Sequence, residues 1–276
     1  MAPPLFYAEV IGDPVAQSKS PAIHKAWLAA CGLEGDYRAT RVAPEGLAAY
    51  VAARRADADW RGCNVTIPHK QAIIPLLDTI DPGAEAIGAV NCVAPGPKGL
   101  EGRNSDIDGI AAALDAIDLA GRKVALIGAG GAARAAIAYL ARRDIGALTL
   151  LVRDPKKAES LGEMAPSIVI HSLAEAGDTL SGARLIINAS PMGMDGAAPM
   201  PPALLDAVAA HSAGAALFDM VYKPLETAFL ATGRAHGGTG IDGLTMLVGQ
   251  ARAAFALFFG HPAPAGDAAL RDLLAT

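Results

Sequence analysis

Short apolar runs alternate along this chain with segments whose apolar residues recur every three to four positions. The first kind of run predicts strands at 5–11, 37–42, 62–65 and 90–94, and the second predicts helices at 21–31, 44–55 and 71–77. Such alternation implies a mostly parallel sheet covered by helices. At 99–109 the chain turns polar and glycine-bearing (GLEGRNSDIDG) before a helix expected at 110–117, and we place a domain boundary there. Beyond it come a strongly apolar strand at 123–127, a glycine cluster, a helix at 132–143 and a strand at 147–152. Further strands at 168–171, 185–188 and 216–219 complete a second α/β unit. The fold class is therefore α/β in two domains. No internal repeat interrupts the pattern.

Length agrees with that division, since 276 residues exceed the usual single-core domain of roughly 100–150. Composition narrows the function. With 52% hydrophobic and 18% charged residues the chain folds, and a net charge of -5 without basic clusters argues against nucleic acid as a partner. Cys31, Cys63 and Cys92 lie far apart and form no C-x-x-C pair, so they read as reduced core residues. The opening MAPPLFYAEV lacks a basic n-region and a long apolar stretch, which makes a cytoplasmic location the expectation. The most apolar stretch, 244–259, is shorter than the roughly 20 residues of a membrane span and carries Gln250 and Arg252. A buried helix between domains is expected instead, with no membrane association.

The glycine cluster is the first candidate for chemistry. Gly128, Ala129, Gly130, Gly131 and Ala132 follow an apolar strand and open a helix, with Ala133 as the small third position of a G-x-G-x-x-A pattern. In a dinucleotide fold the first glycine makes the tight turn, the second admits the pyrophosphate, and the helix N-terminus faces it. A glycine-rich turn without a ligand has the same spacing; the strand before it and the second strand twenty-odd residues on favour the nucleotide. At the end of that second strand an acidic residue would suit NAD and an arginine the 2′-phosphate of NADP. Here Arg153, Asp154, Lys156 and Lys157 stand together. The cations favour NADP and Asp154 pulls toward NAD.

In the first unit three polar stretches follow or close predicted strands, where open α/β sheets bind ligands. They are Gln17 to Pro21, Asn64 to Lys70 and Gly88 to Asn91, with Asn104-Ser105-Asp106 beside them. Ser20-Pro21 also reads as a helix N-cap followed by proline, which leaves Ser18 unexplained by capping.

Taken in order, these stretches resemble the shikimate dehydrogenase family, including the quinate/shikimate dehydrogenases. The family's S-x-S-P is Ser18 to Pro21, its N-V-T-x-P-x-K is Asn64 to Lys70, and its G-A-V-N-T is Gly88 to Cys92, with Cys for Thr. Its N-T-D is Asn104 to Asp106, its glycine loop Gly128 to Ala132, its D-M-V-Y-x-P Asp219 to Pro224, and its D-G-x-x-M-L-x-x-Q Asp242 to Gln250. The resemblance implies a substrate domain of residues 1–106 and 244–276, completed by C-terminal helices, around an inserted dinucleotide-binding domain of 107–243. It implies that Ser18 and Ser20 hold a substrate carboxylate with Tyr222, and that Asn64, Thr66, Asn91, Asp106 and Gln250 bind the substrate ring. Met220 and Gly243 would lie against the nicotinamide, and Arg153, Asp154 and Lys157 by the adenosine end. Two departures stand out: Val152 to Lys157 replaces N-R-T-x-x-R/K, and Ser105 to Asp108 replaces Thr-Asp-Gly while keeping the carboxylate.

The implied reaction is reversible hydride transfer between NADP and the C3 position of 3-dehydroshikimate or shikimate, with Lys70 and Asp106 as the catalytic pair. His69 adjoins Lys70, but in an extended segment it would face away. His24 reads as a packing residue, and the remaining histidines lack ligand spacing, so no metal is expected. A quinate or dual quinate/shikimate dehydrogenase using NAD or NADP, and a non-catalytic sensor of nucleotide or ring acid, are the alternatives. Oligomeric state, monomer or homodimer, is open.

Overall fold

The computed structural model describes residues 6–165, 168–266 and 268–275. The chain divides into two compact units, residues 1–106 with 250–276 and residues 107–249.

The first unit holds a six-stranded sheet of β1 (Tyr7–Gly12), β2 (Asp36–Arg41), β3 (Trp60–Val65), β4 (Thr79–Ile80), β5 (Cys92–Gly96) and β6 (Gly99–Arg103), ordered β2-β1-β3-β5-β6-β4. Leu5, expected to open the first strand, lies outside the described residues. β1 pairs in parallel with β2 and β3, as the alternation predicts. The remainder of the sheet is mixed, because β5 runs antiparallel to both β3 and β6. The apolar pattern gives no sign of that hairpin, since the apolar run ends at 94 and the polar, glycine-bearing 99–103 falls in the segment expected to hold the domain boundary.

β1 is buried along its whole length, and apart from Glu9 it is apolar. Tyr7 and Ile11 pack on one face with Trp60, Val65 and Leu47, and Ala8 and Val10 on the other with Tyr37, Ala254 and Phe258. Glu9, fully buried between them, is satisfied by Tyr50 Oη (2.7 Å), Arg54 Nε (2.6 Å) and the Thr40 hydroxyl. The helix expected at 71–77 is instead a single turn, His69–Ala72, and a 3-10 turn, Ile74–Leu76. Pro75 lacks the N–H that would continue it. Likewise 44–55 splits into a 3-10 turn, Pro44–Gly46, and the helix Leu47–Arg55.

The second unit is an all-parallel sheet of β7 (Lys123–Ile127), β8 (Ala147–Val152), β9 (Ile168–Ser172), β10 (Ala183–Asn188), β11 (Ala216–Asp219) and β12 (Thr239–Ile241). Its order, β12-β11-β10-β7-β8-β9, is that of a doubly wound dinucleotide fold. From β7 the chain winds one way through β8 and β9 and the other way through β10 to β12, so the crevice lies beyond the carboxyl ends of β7 and β10. No helix among the described residues is long and apolar enough to cross a membrane.

Candidate active site

The hairpin absent from the sequence reading is what assembles the polar residues of the first unit. Cys92 at the start of β5 pairs with Arg103 at the end of β6, so Asn91 and Asn104 to Asp106 leave the sheet side by side. The Asn91 amide donates to Arg103 O (3.0 Å) and its carbonyl accepts from Val65 N (2.8 Å), which brings the end of β3 to the same edge. Beyond β3 the turn His69–Ala72 projects Lys70, whose carbonyl accepts from Val90 N (2.8 Å).

Lys70 Nζ donates to Asp106 Oδ2 at 2.7 Å. Asp106 is buried and Lys70 partly exposed, so the pair sits at an accessible edge with its carboxylate inside. The second carboxylate oxygen accepts from Asn91 Nδ2 (2.9 Å), and the same amide nitrogen donates to Gln250 Oε1 at 3.3 Å. Asn91 Oδ1 is held in turn by the Ser105 N–H (2.7 Å) and hydroxyl (3.3 Å). Asn104 Oδ1 accepts from the Asp106 N–H (2.9 Å), starting the helix Asp106–Leu114 four residues earlier than the apolar spacing predicts. Short polar side chains at such positions bond the backbone and fix where a helix begins.

Asn64 lies one layer behind. Its Oδ1 accepts from Tyr37 Oη (2.5 Å), and its Nδ2 donates to Asn91 O (3.3 Å) and Cys92 Sγ (3.1 Å). Burial pushes the Cys92 thiol up to about 12, so the residue standing for the family's threonine is a neutral thiol, 3.3 Å from the Ser105 hydroxyl. Tyr37, Ser105 and Cys92 belong to this network; sequence reasoning named Ser105 and Cys92 only as members of motifs and missed Tyr37 as a site residue. The weak signal was Cys92 in the fifth position of a G-A-V-N-T pattern.

Ser18 and Ser20 stand together before the helix Ser20–Cys31, both partly exposed. The capping expectation is corrected here: Ser20 is the first helical residue, Lys19 holds the N-cap position without a side-chain bond, and Ser18 Oγ accepts from the Ser20 N–H at 3.3 Å. Thr66 ties β1 to the segment through its N–H to Ile11 O (2.9 Å), leaving its side chain partly exposed. His69 lies in a helical turn, not an extended segment, yet still turns from Lys70: it is buried with Nε2 2.6 Å from Val42 O.

In the second unit a cavity of about 400 Å³ lies at the expected crevice. Ile127 to Gly130 after β7, Val152 to Asp154 after β8, Lys157, and Ala189 to Met192 after β10 line it. Gly128 holds φ +119, where a Cβ would meet Ala189 O at 2.9 Å, so the tight turn requires glycine. At Gly130 and Gly131 a Cβ would meet nothing within 4 Å: the backbone is bare and open at the mouth of the helix Gly131–Leu140, as the approach of a pyrophosphate requires. Ala132 lies in the first turn of that helix. Arg153 and Asp154 border the cavity, with Lys157 Nζ 3.6 Å from Asp154 Oδ2.

Met220 and Tyr222 follow β11, and neither borders this cavity. Gly243 packs where a Cβ would meet Met220 O and Val221 O, each at 2.6 Å. Burial raises the Tyr222 hydroxyl above its ordinary range, so it remains a neutral donor. Among the described residues no group of His, Cys, Asp or Glu is arranged to hold a metal ion.

The same architecture recurs in known proteins. Residues 10–93 match the family described as shikimate dehydrogenase substrate binding domain, 111–192 shikimate / quinate 5-dehydrogenase, and 243–267 shikimate 5'-dehydrogenase C-terminal domain. The shikimate dehydrogenase (NADP(+)) of Sphingopyxis alaskensis is 48% identical over 272 residues, covering 97% of this chain and 96% of that protein. The crystal structure of shikimate 5-dehydrogenase from Thermus thermophilus in complex with NADP(H) and shikimate superposes with a TM-score of 0.81 at 34% identity, over 94% of this chain and 95% of that one. A ligand-free 5-ketofructose reductase of Gluconobacter sp. reaches 0.85 at 31% identity, over 98% of each chain.

Proposed function

This chain belongs to the shikimate dehydrogenase family, and on that premise we propose that it reduces 3-dehydroshikimate reversibly to shikimate with NADP, using Lys70 and Asp106 as the catalytic pair. The observation that carries the assignment of roles is the 2.7 Å contact from Lys70 Nζ to Asp106 Oδ2, with the other carboxylate oxygen fixed by Asn91.

Bound NADPH supplies the hydride. The protein must then answer the negative charge that grows on the carbonyl oxygen. The Lys70 ammonium stabilises that charge and passes it a proton. Asp106 gives the ammonium its direction, and Asn91 keeps the carboxylate from rotating. The 3.3 Å bond between Asn91 and Gln250 is the longer of the two made by Asn91 Nδ2, and it is the one a ring hydroxyl would replace. Asn64 and Thr66 complete the ring contacts, while Ser18, Ser20 and Tyr222 take the carboxylate. Gly128 to Ala132 receive the pyrophosphate, Arg153 and Lys157 the 2′-phosphate, and Met220 and Gly243 the nicotinamide. In this reading residues 1–106 with 244–276 form the substrate domain and 107–243 the cofactor domain of a cytoplasmic enzyme. It acts as monomer or homodimer on a small molecule and binds neither nucleic acid nor membrane.

NADP reduction with shikimate at alkaline pH tests substrate, cofactor and activity together. Lys70→Ala is expected to lower kcat by about 10² or more with little change in KM for shikimate, the scale of general acid–base catalysis. Near-normal turnover in that variant would remove Lys70 from the mechanism.

One observation favours a second reading. Asp154 at the end of β8 places a carboxylate, shared with Lys157, at the position that selects between the two cofactors. An enzyme tolerant of NAD follows from it, the quinate or dual-specificity alternative being the one that would use it. Comparing kcat/KM for shikimate and quinate with each cofactor separates the two.

A further inference from the structure

Asp219 ends β11 with its side chain fully buried, and the mechanism above gives it no role. Its Oδ1 accepts from Asn188 Nδ2 (3.0 Å) and the Val221 N–H (2.9 Å), and its Oδ2 from Thr227 Oγ1 (2.6 Å). All of these donors are neutral. A buried carboxylate without a cation is costly to desolvate, so its presence asks what the three converging bonds accomplish.

They join two loops. Asn188 ends β10 directly opposite Asp219 in the parallel register, and the Met220 N–H donates to Asn188 O (2.9 Å). The Asn188 side chain governs the next four residues: its Oδ1 accepts from Ser190 Oγ (2.7 Å) and N–H (3.1 Å), and its Nδ2 donates to Met192 O (3.2 Å). Ala189, Ser190, Pro191 and Met192 form one wall of the nucleotide cavity. On the other side Val221 lies in the segment Met220 to Tyr222. Thr227, which also accepts from the Leu230 N–H (3.3 Å), caps the helix Ala228–Ala235. Asp219 does not itself border the cavity.

We propose that Asp219 is a positioning residue for the cofactor: a buried clamp that, through Asn188, holds the Ala189–Met192 wall at a fixed distance from the Met220–Tyr222 segment. This rests on the cavity being the NADP site. Without the clamp both loops keep their strands and lose their mutual register, so the cavity wall moves while the sheet stays.

The test is NADPH binding by fluorescence titration together with backbone hydrogen exchange. For Asp219→Ala we expect Kd for NADPH to rise about tenfold or more, with faster exchange in residues 188–192 and 219–222 and unchanged exchange in β7 and β8. Asp219→Asn keeps Oδ1 for its two donors and can offer its NH2 to a rotated Thr227 hydroxyl, so it should bind NADPH within about threefold of the wild type. An Asp219→Ala protein that binds NADPH normally would overturn the proposal, as would one whose exchange quickens equally across the whole sheet. If that variant does not fold, Thr227→Val, which removes one donor to the clamp, should weaken NADPH about threefold with the same local exchange pattern, and unaltered binding there overturns it. Failure of the wild type to bind NADPH would instead sink the cofactor reading of the cavity.

Discussion

His24 shows how much a single residue can hide from sequence. One turn into the helix Ser20–Cys31 it reads as a packing residue, and it is fully buried, its ring stacked on Tyr37 at 4.0 Å with Trp27 and Phe255 around it. Neither ring nitrogen has a hydrogen-bond partner. Burial alone lowers its pKa to about 3, so it is neutral wherever the protein is folded. The stability this histidine contributes is present above its unfolded pKa near 6.5 and is lost as pH falls toward 3. Two units below 6.5, at pH 4.5, the loss is about 3 kcal/mol. His24→Phe keeps the ring stack without the titrating nitrogens. Chemical denaturation should show it no less stable than the wild type at pH 7.5 and more stable by about 2–3 kcal/mol at pH 4.5. A parallel pH dependence in the two proteins would show that His24 is not what acid unfolds.

At the scale of elements, the strand, turn and helix from Lys123 to Leu140 were legible because each part leaves its own mark: an apolar run, glycines, then helical spacing. The tight turn at Gly128 was legible too, but the second reason it must be glycine was not. It lies in the approach of Ala189, more than sixty residues away in sequence, to its α-carbon. Gly128→Ala should strain the turn by about 1–3 kcal/mol and weaken NADP binding at least tenfold, read by thermal melting and by KM for NADP. Equal cofactor affinity in that variant would mean the turn tolerates a side chain. The β5–β6 hairpin is the opposite case. Gly96-Pro97-Lys98-Gly99 is a turn signal, but strands only five residues long with glycine and charge in them offer no period, and their identity comes from pairing.

At the scale of the whole molecule, one buried group in each unit biases its response to acid, and the two act in opposite directions. In the first, His24 withdraws stability as pH falls from 6.5. In the second, burial raises Asp219 to about 6 against the pull of its three hydrogen bonds, so its contribution is fully present below 3.8 and is lost as pH rises through 6. Over that window Asp219 favours the second unit by up to about 3 kcal/mol on acidification. Scanning calorimetry should therefore find the melting temperature of the second unit rising relative to that of the first on going from pH 7.5 to pH 4.5. A relative shift in the other direction would contradict both assignments. The sequence alone determined the alternation of strands and helices and the glycine turn, because periodicity and motif spacing are local properties, while the resemblance to a known family singled out Lys70, Asp106, Asn91 and Gln250. Only the tertiary structure decided that the β5–β6 hairpin delivers Asn91 beside Asp106, that Asn91 is the residue joining Gln250 to the Asp106 carboxylate, and that Asp219 bonds the ends of two loops together. Hydrogen bonds between groups distant along the chain exist only once the sheets have set which strand ends are neighbours.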